Sequence, residues 1–268
     1  MDVSALQARI DKEVRVGPRP HVVTFRDQIW YLVRGAVPLS LVTALLALAE
    51  EHRNGFYNVH CKNHGDVARI LLDATDAHKE ELREHDDLGV LCEHPDALVL
   101  AGFLGVAWEK MRLLVLSEHD ERRLGGMVEP EIARSRPGSL GQVDHMDSPF
   151  NAMAATVALH GGSTRFRVYD YQDYPDNVSA DRSTVPRNWA SLPEEEVDWQ
   201  PGDMFVFCQN MIHRGPPNLT EHYRYVGFLG SSVPDDRREH HSDSQVYTEQ
   251  VFFAFKNARS HTTHCGIW

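Results

Sequence analysis

Pro201–Arg224, PGDMFVFCQNMIHRGPPNLTEHYR, is the stretch on which the reading of this chain turns. Pro201-Gly202-Asp203 has the composition of a tight turn, because Pro and Gly settle into backbone angles that other residues resist. Met204–Cys208 is a short apolar run, partly β-branched and aromatic, as expected of a buried strand. His213 follows, then a second turn cluster, Arg214-Gly215-Pro216-Pro217-Asn218. Arg224 begins another strand-like run, Tyr223 to Leu229. A histidine leaving a core strand, with an arginine eleven positions later, suggests a metal ligand beside an anion clamp.

Length and composition bound the classes open to the chain. Its 268 residues suffice for one large domain or two small ones. At 42% hydrophobic and 25% charged it has the balance of a soluble globular protein. The formal charge of −12 argues against sequence-independent nucleic-acid binding, since an acidic surface repels a polyphosphate. Cys61, Cys92, Cys208 and Cys265 are widely spaced and make no CxxC pair, so neither a zinc knuckle nor a disulfide scaffold is signalled. Reduced thiols and no leader-like N-terminus make a cytoplasmic enzyme the expectation. Ala97–Trp108, the longest apolar run, has twelve residues against the roughly 20 a membrane span requires, so no membrane partner is expected.

Two halves differ in pattern. Val22–Phe25 and Ile29–Val33 read as short strands. Leu41, Leu45 and Leu48 recur at helical spacing after Pro38, with Ser40 as the expected cap and Asn54-Gly55 as the break. Asp66 to about Glu84 reads as a weaker helix, and Asp96 as the cap of an apolar helix through Met111 and Leu114. Residues 1–125 are therefore expected to be mostly helical. From about 126 to 235 short strand-like runs alternate with Gly, Pro, Asn and Asp, the pattern of a sandwich, jelly roll or barrel. A polar insertion over 170–198 interrupts them, and its Glu194-Glu195-Glu196 reads as solvated loop. Residues 236–268 return to helical spacing, and the whole is expected to be a single domain.

Two imidazoles and one carboxylate on one face of a metal suit a non-haem Fe(II) site. In an extended strand, side chains two apart share a face, so a His-x-Asp pair can hold one ion. The motif occurs five times: His64/Asp66, His85/Asp87, His94/Asp96, His145/Asp147 and His241/Asp243. Only His145 lies in the β-rich region upstream of His213 with core strands between them, so His145, Asp147 and His213 form the candidate triad.

The order and spacing of His145-Met-Asp147-Ser-Pro-Phe, PGD-MFVF-CQNMIH-RGPPN-x-T and Arg224 resemble the Fe(II)/2-oxoglutarate-dependent oxygenases, most closely the phytanoyl-CoA dioxygenase-like branch. The resemblance spans about 100 residues, from near Gln142 to Val226. It implies a mainly β fold with flanking helices (α+β), with a double-stranded β-helix (jelly roll, cupin-like) core and N-terminal helices packed on one sheet. His145, Asp147 and His213 would bind Fe(II) and be the catalytic residues. Arg224 would clamp the distal carboxylate of the cosubstrate 2-oxoglutarate; its planar fork matches a carboxylate and keeps its charge when buried. O2 is the other cosubstrate, and the implied reaction hydroxylates or desaturates a small-molecule substrate, releasing succinate and CO2. Many relatives place a hydroxyl residue two positions after the arginine, where this chain has Val226. Thr220, Tyr223 or Gln142 would then supply the missing hydrogen bond. Asn151, Thr156 and Arg167 flank the site, and Tyr169, Tyr171 and Trp189 are candidates for the substrate pocket. Asp147 argues against halogenation, because halogenating relatives have a small residue there. Gly230, where alkylation-repair relatives carry a second arginine, argues against a nucleobase substrate. The competing readings are a non-redox cupin-like metal-binding protein, and an oxygenase acting on a nucleobase or protein side chain.

Overall fold

A computed structural model describes residues 3–16, 21–26, 30–58, 67–73, 94–115, 127–142, 153–167, 193–208 and 211–231. The helices are α1 (Val3–Val16), α2 (Leu39–Glu51) and α3 (Pro95–Val115). The strands in the first half are β1 (His21–Arg26), β2 (Trp30–Arg34), β3 (Tyr57–Asn58) and β4 (Val67–Leu71). Then come β5 (Met127–Ser135), β6 (Met153–Ala158), β7 (Gly162–Arg167) and β8 (Glu194–Trp199). The last three are β9 (Met204–Cys208), β10 (His213–Arg214) and β11 (Arg224–Ser231). The fold is mostly β, with two antiparallel sheets: an eight-stranded one ordered β1-β2-β9-β6-β11-β5-β4-β3 and a three-stranded one ordered β10-β7-β8. Among the described residues no helix is long and apolar enough to cross a membrane.

Gln200-Pro201-Gly202-Asp203 is the turn that joins β8 to β9. The Asp203 N–H donates to the Gln200 carbonyl at 2.9 Å, and Gly202 has φ 89°. Proline second and a positive-φ glycine third is the arrangement of a type II turn. The Asp203 carboxylate is 4% exposed and accepts from the Gly35 N–H at 3.0 Å and the Gln200 N–H at 2.8 Å. It also pairs with the Arg34 guanidinium. Gly202 N–H donates to the Ala158 carbonyl, and Ala158 N–H to the Asp203 carbonyl, at 2.8 and 2.9 Å. One aspartate thus ties β2, β6, β8 and β9 together.

Alternation along the central strands sorts residues onto two faces. In β11, Tyr225 and Leu229 are fully buried in a core shared with Leu41, Leu45 and Leu48 of α2 and Leu100, Leu104 and Met111 of α3. On the other face of the large sheet lie Trp30, Phe205 and Phe207, which meet the small sheet. Trp30 packs edge-on to Phe166 at 5.2 Å, Phe166 stacks on Phe205 at 5.9 Å, and Phe207 lies 4.7 Å from the His213 ring. Aromatic burial of this kind seals the seam between the sheets.

Several local expectations are corrected. Val67–Leu71 is a strand, not part of a helix, because its short run is buried on both faces and pairs with β5. The remainder of that expected helix, 74–84, lies outside the described residues. Ser40 sits inside α2 and donates its hydroxyl to Glu13, while Pro38 occupies the cap position. At α3, Pro95 starts the helix and His94 stands before it, its Nδ1 accepting from the Asp96 N–H at 3.2 Å. Proline at the first helical position places the cap two residues earlier than expected, at His94 rather than Asp96. Glu194–Trp199 is strand β8 rather than solvated loop. Its glutamates pair across the sheet, Glu196 with Arg165 at 3.0 Å and Glu194 with Arg214 at 2.6 Å, while Val197 and Trp199 turn inward. The helical pattern in 236–268 and most of the 170–198 insertion lie outside the described residues.

Asp203→Ala removes the acceptor of two backbone donors and the partner of Arg34. We expect a loss of about 2–4 kcal/mol of unfolding free energy in urea. A loss below about 0.5 kcal/mol, the range of an ordinary surface substitution, would show that the turn does not hold the strands together.

Candidate active site

A pocket opens between the two sheets. His213 of β10 and Trp199 of β8 line it from the small sheet, and Thr156 of β6 and Arg224, Val226 and Phe228 of β11 from the large one. Its polar margin includes Gln142, Ser163 and Thr164. On the far side β4 and β5 contribute Arg69 and Glu131, an ion pair at 3.0 Å.

His213 is buried, and its Nδ1 lies 2.9 Å from the Met211 carbonyl oxygen. With the Nδ1 proton donated to that carbonyl, the lone pair is on Nε2, the tautomer in which imidazole ligates a metal. Two residues on, Gly215 exchanges hydrogen bonds with Gln142. The Gln142 N–H donates to the Gly215 carbonyl and the Gly215 N–H to Gln142 Oε1, both at 2.9 Å. Gly141 makes this close approach possible. Its φ is +83°, and a Cβ there would lie 2.7 Å from Pro217 N and 2.8 Å from the Gly215 oxygen. So the chain is pinned beside β10 three residues before His145. His145 and Asp147 themselves lie outside the described residues, as do Asn151, Tyr169, Tyr171 and Trp189.

Arg224 is half-buried. Its Nη2 donates to the Pro216 carbonyl at 2.6 Å and its Nη1 to the Pro217 carbonyl at 3.2 Å. Among the described residues no carboxylate pairs with it. Desolvation pulls its pKa below the ordinary arginine range. A desolvated guanidinium held by neutral carbonyls can receive an anion, because a carboxylate would supply the missing charge and use the fork.

Three residues were candidates for a second hydrogen bond to that anion. Thr220 is exposed, its hydroxyl 2.8 Å from Asn218 Oδ1 and 2.9 Å from the His222 oxygen, so it serves the turn. Tyr223 turns away from the pocket, its ring 4.6 Å from the Arg134 guanidinium. Gln142 lines the pocket, but its Oε1 already receives the Gly215 N–H. The sequence reading passed over Trp199, hidden behind the acidic run of β8; the alternation of Val197 and Trp199 was the available signal. Its indole Nε1 is buried and has no hydrogen-bond partner among the described residues.

A separate group, Glu51, His52 and His94, brings possible metal-ligand atoms within 4.8 Å of one another between α2 and α3. The His52 and His94 rings meet edge to face at 5.0 Å. Because His94 Nδ1 accepts from the Asp96 N–H, the proton of the neutral ring is on Nε2, which suits a helix cap better than a pair of ligating histidines. None of the three lines the pocket between the sheets.

His160, at the β6–β7 turn, accepts the Tyr225 N–H at its Nδ1, 3.1 Å away. Burial lowers its pKa most; Glu50 opposes this, and Arg224 and His222 lower it further. The folded protein therefore holds this ring neutral at a pH where the unfolded chain protonates it. Its contribution to stability is complete above about pH 6.5 and is lost as the pH falls through the depressed folded value. His160→Asn keeps an acceptor and cannot titrate. Thermal midpoints measured from pH 7.5 to 5.5 should fall less steeply for this variant than for the wild type; identical slopes would contradict the assignment.

No family model matches the sequence, and no curated protein matches it. Among solved structures, the chain is similar to the non-haem α-ketoglutarate-dependent epimerase SnoN from nogalamycin biosynthesis, at 17% identity and a TM-score of 0.47 over 87% of this chain and 84% of that one. A prolyl-4-hydroxylase from Pseudomonas putida aligns at 14% identity and 0.45, covering 85% of this chain and 99% of that one. An oxidoreductase of the 2OG-Fe(II) oxygenase family from Burkholderia pseudomallei aligns at 12% and 0.49, covering 84% and 89%.

Proposed function

We propose that this protein is a non-haem iron dioxygenase of the 2-oxoglutarate-dependent type, acting on a small-molecule substrate. The observation that carries the reading is the shared pocket of His213 and Arg224. A buried imidazole whose Nδ1 faces a carbonyl stands in the same cleft as a desolvated guanidinium with no carboxylate partner among the described residues. In a cleft between two antiparallel sheets this pairing suits a metal ligand beside a dicarboxylate clamp.

The residues fit the group on chemical grounds. His213, His145 and Asp147 would supply two neutral nitrogens and one carboxylate, the donor set that leaves coordination positions open on Fe(II). Gln142, by gripping Gly215, supports the start of the segment that carries His145 and Asp147. Arg224 would hold the distal carboxylate of 2-oxoglutarate, and Thr220 and Asn218 shape the turn that supports it. The Asn218 Nδ2 donates to the His222 carbonyl at 2.8 Å and to the Ser135 and Arg136 carbonyls at 3.1 Å. Bound iron supplies oxygen activation coupled to decarboxylation of 2-oxoglutarate, giving succinate, CO2 and an oxidised substrate. Phe207 packs against the His213 ring at 4.7 Å, so an apolar side chain backs the imidazole. Hydroxylation or desaturation is the outcome we favour.

A non-redox cupin-like metal protein is the competing reading. Arg224 argues against it, because a purely structural metal has no use for a carboxylate receptor in the same pocket.

Anaerobic addition of Fe(II) and then 2-oxoglutarate to the purified protein should produce a visible charge-transfer band. A folded, iron-loaded protein without the band would favour the cupin-like reading. Asp147→Ala and His213→Ala should abolish succinate release; turnover at the wild-type rate in either would refute the ligand set. Arg224→Ala should raise the KM for 2-oxoglutarate by about 100-fold, as expected for loss of a desolvated charge pair. An unchanged KM would remove the clamp.

A further inference from the structure

We propose that Trp199 is a cosubstrate-binding residue: its indole N–H donates to the distal carboxylate of 2-oxoglutarate beside Arg224, in place of the hydroxyl that Val226 does not provide. The inference rests on the oxygenase reading and assigns a residue that reading leaves without a role.

Three independent features converge on it. Trp199 is 5% exposed, lines the pocket, and has no acceptor for its Nε1 among the described residues. A buried donor left unmatched carries the full cost of its desolvation, so an acceptor arriving with a ligand gains more than a bond made in water. Arg224 lines the same pocket with no carboxylate partner among the described residues, so one anion can use both donors. Gly162, directly opposite Trp199 in the β7–β8 register, is the third. A Cβ built on it would lie 3.2 Å from Trp199 Nε1 and 3.8 Å from Arg224 Cδ, so this glycine leaves the space before both groups open. Trp30 Nε1 is also buried and unmatched among the described residues, yet Trp30 does not line this pocket, so the pairing with an unneutralised cation is particular to Trp199.

A five-carbon diacid with a keto group has two ends, and only one of them reaches Arg224 when the other chelates the metal. A 2-oxo acid without the second carboxylate therefore separates a clamp role from a structural one. Wild type, Trp199→Phe and Gly162→Ala, each loaded with Fe(II) under anaerobic conditions, are titrated calorimetrically with 2-oxoglutarate and with 2-oxobutyrate. Phe keeps the ring and deletes the N–H; the Ala methyl crowds Nε1 without removing it.

Trp199→Phe should weaken 2-oxoglutarate binding by about tenfold and leave 2-oxobutyrate within about twofold of wild type, the expected effect of one hydrogen bond to a charged group. Gly162→Ala should show the same selectivity, so the claim survives a Phe variant that fails to fold. Equal weakening of both acids would make Trp199 a packing residue and overturn the proposal. Unchanged 2-oxoglutarate affinity in both variants would overturn it as well. Failure of the wild type to bind 2-oxoglutarate would sink the oxygenase reading itself, a result distinct from either of those.

Discussion

The register of β9 against β6 is the constraint on which the molecule depends. Met204 faces Val157, Phe205 faces Thr156 and Phe207 faces Ala154, with β2 adding Leu32 opposite Phe205 and Trp30 opposite Phe207. In a strand a slip of one residue exchanges the two faces. Such a slip would turn Phe205 and Phe207 toward the helices and Met204 and Val206 into the seam. The Asp203 turn prevents it, because its carboxylate and the Gly202–Ala158 hydrogen bonds set the first rung of the ladder. A short polar turn therefore decides which side chains fill the seam between the sheets.

The same alternation divides one strand between the core and the pocket. In β11, Tyr225 and Leu229 complete the core beneath the helices while Arg224, Val226 and Phe228 face the cleft. Burying a guanidinium is costly without a counter-charge. Carbonyls of Pro216 and Pro217 each accept one of its five N–H donors but carry no net charge. A carboxylate arriving from solution would offset that cost. His160 adds to that balance: held neutral, its ring Nδ1 accepts the Tyr225 backbone N–H without placing a second cation beside Arg224.

Much of this was legible in the residues. PGD followed by MFVFC announced a turn and a buried strand, and both appear at the expected positions, because proline, glycine and an apolar β-prone run act locally. The leucine spacing of α2 and the apolar run of α3 were equally direct. What was missed depends on partners distant in sequence. Val67–Leu71 looks helical alone and becomes a strand only against β5. The three glutamates of β8 look solvated until Arg165 and Arg214 are placed across from them. Trp199 escaped notice for the same reason, since its importance arises from Gly162 and Arg224, 37 and 25 residues away in sequence. His213 and Arg224 could be singled out from spacing, but that they share a pocket required the fold.

On the proposed function, His213 would hold iron in the cleft where Arg224 receives the far end of 2-oxoglutarate. Diffraction with anomalous data at the iron edge, from crystals grown anaerobically with Fe(II) and 2-oxoglutarate, tests it most directly. One iron on His213 Nε2, with the distal carboxylate of 2-oxoglutarate on the Arg224 guanidinium, is the expected result. Iron bound instead at Glu51, His52 and His94, or an Arg224 closed onto a protein carboxylate with no 2-oxoglutarate beside it, would contradict it.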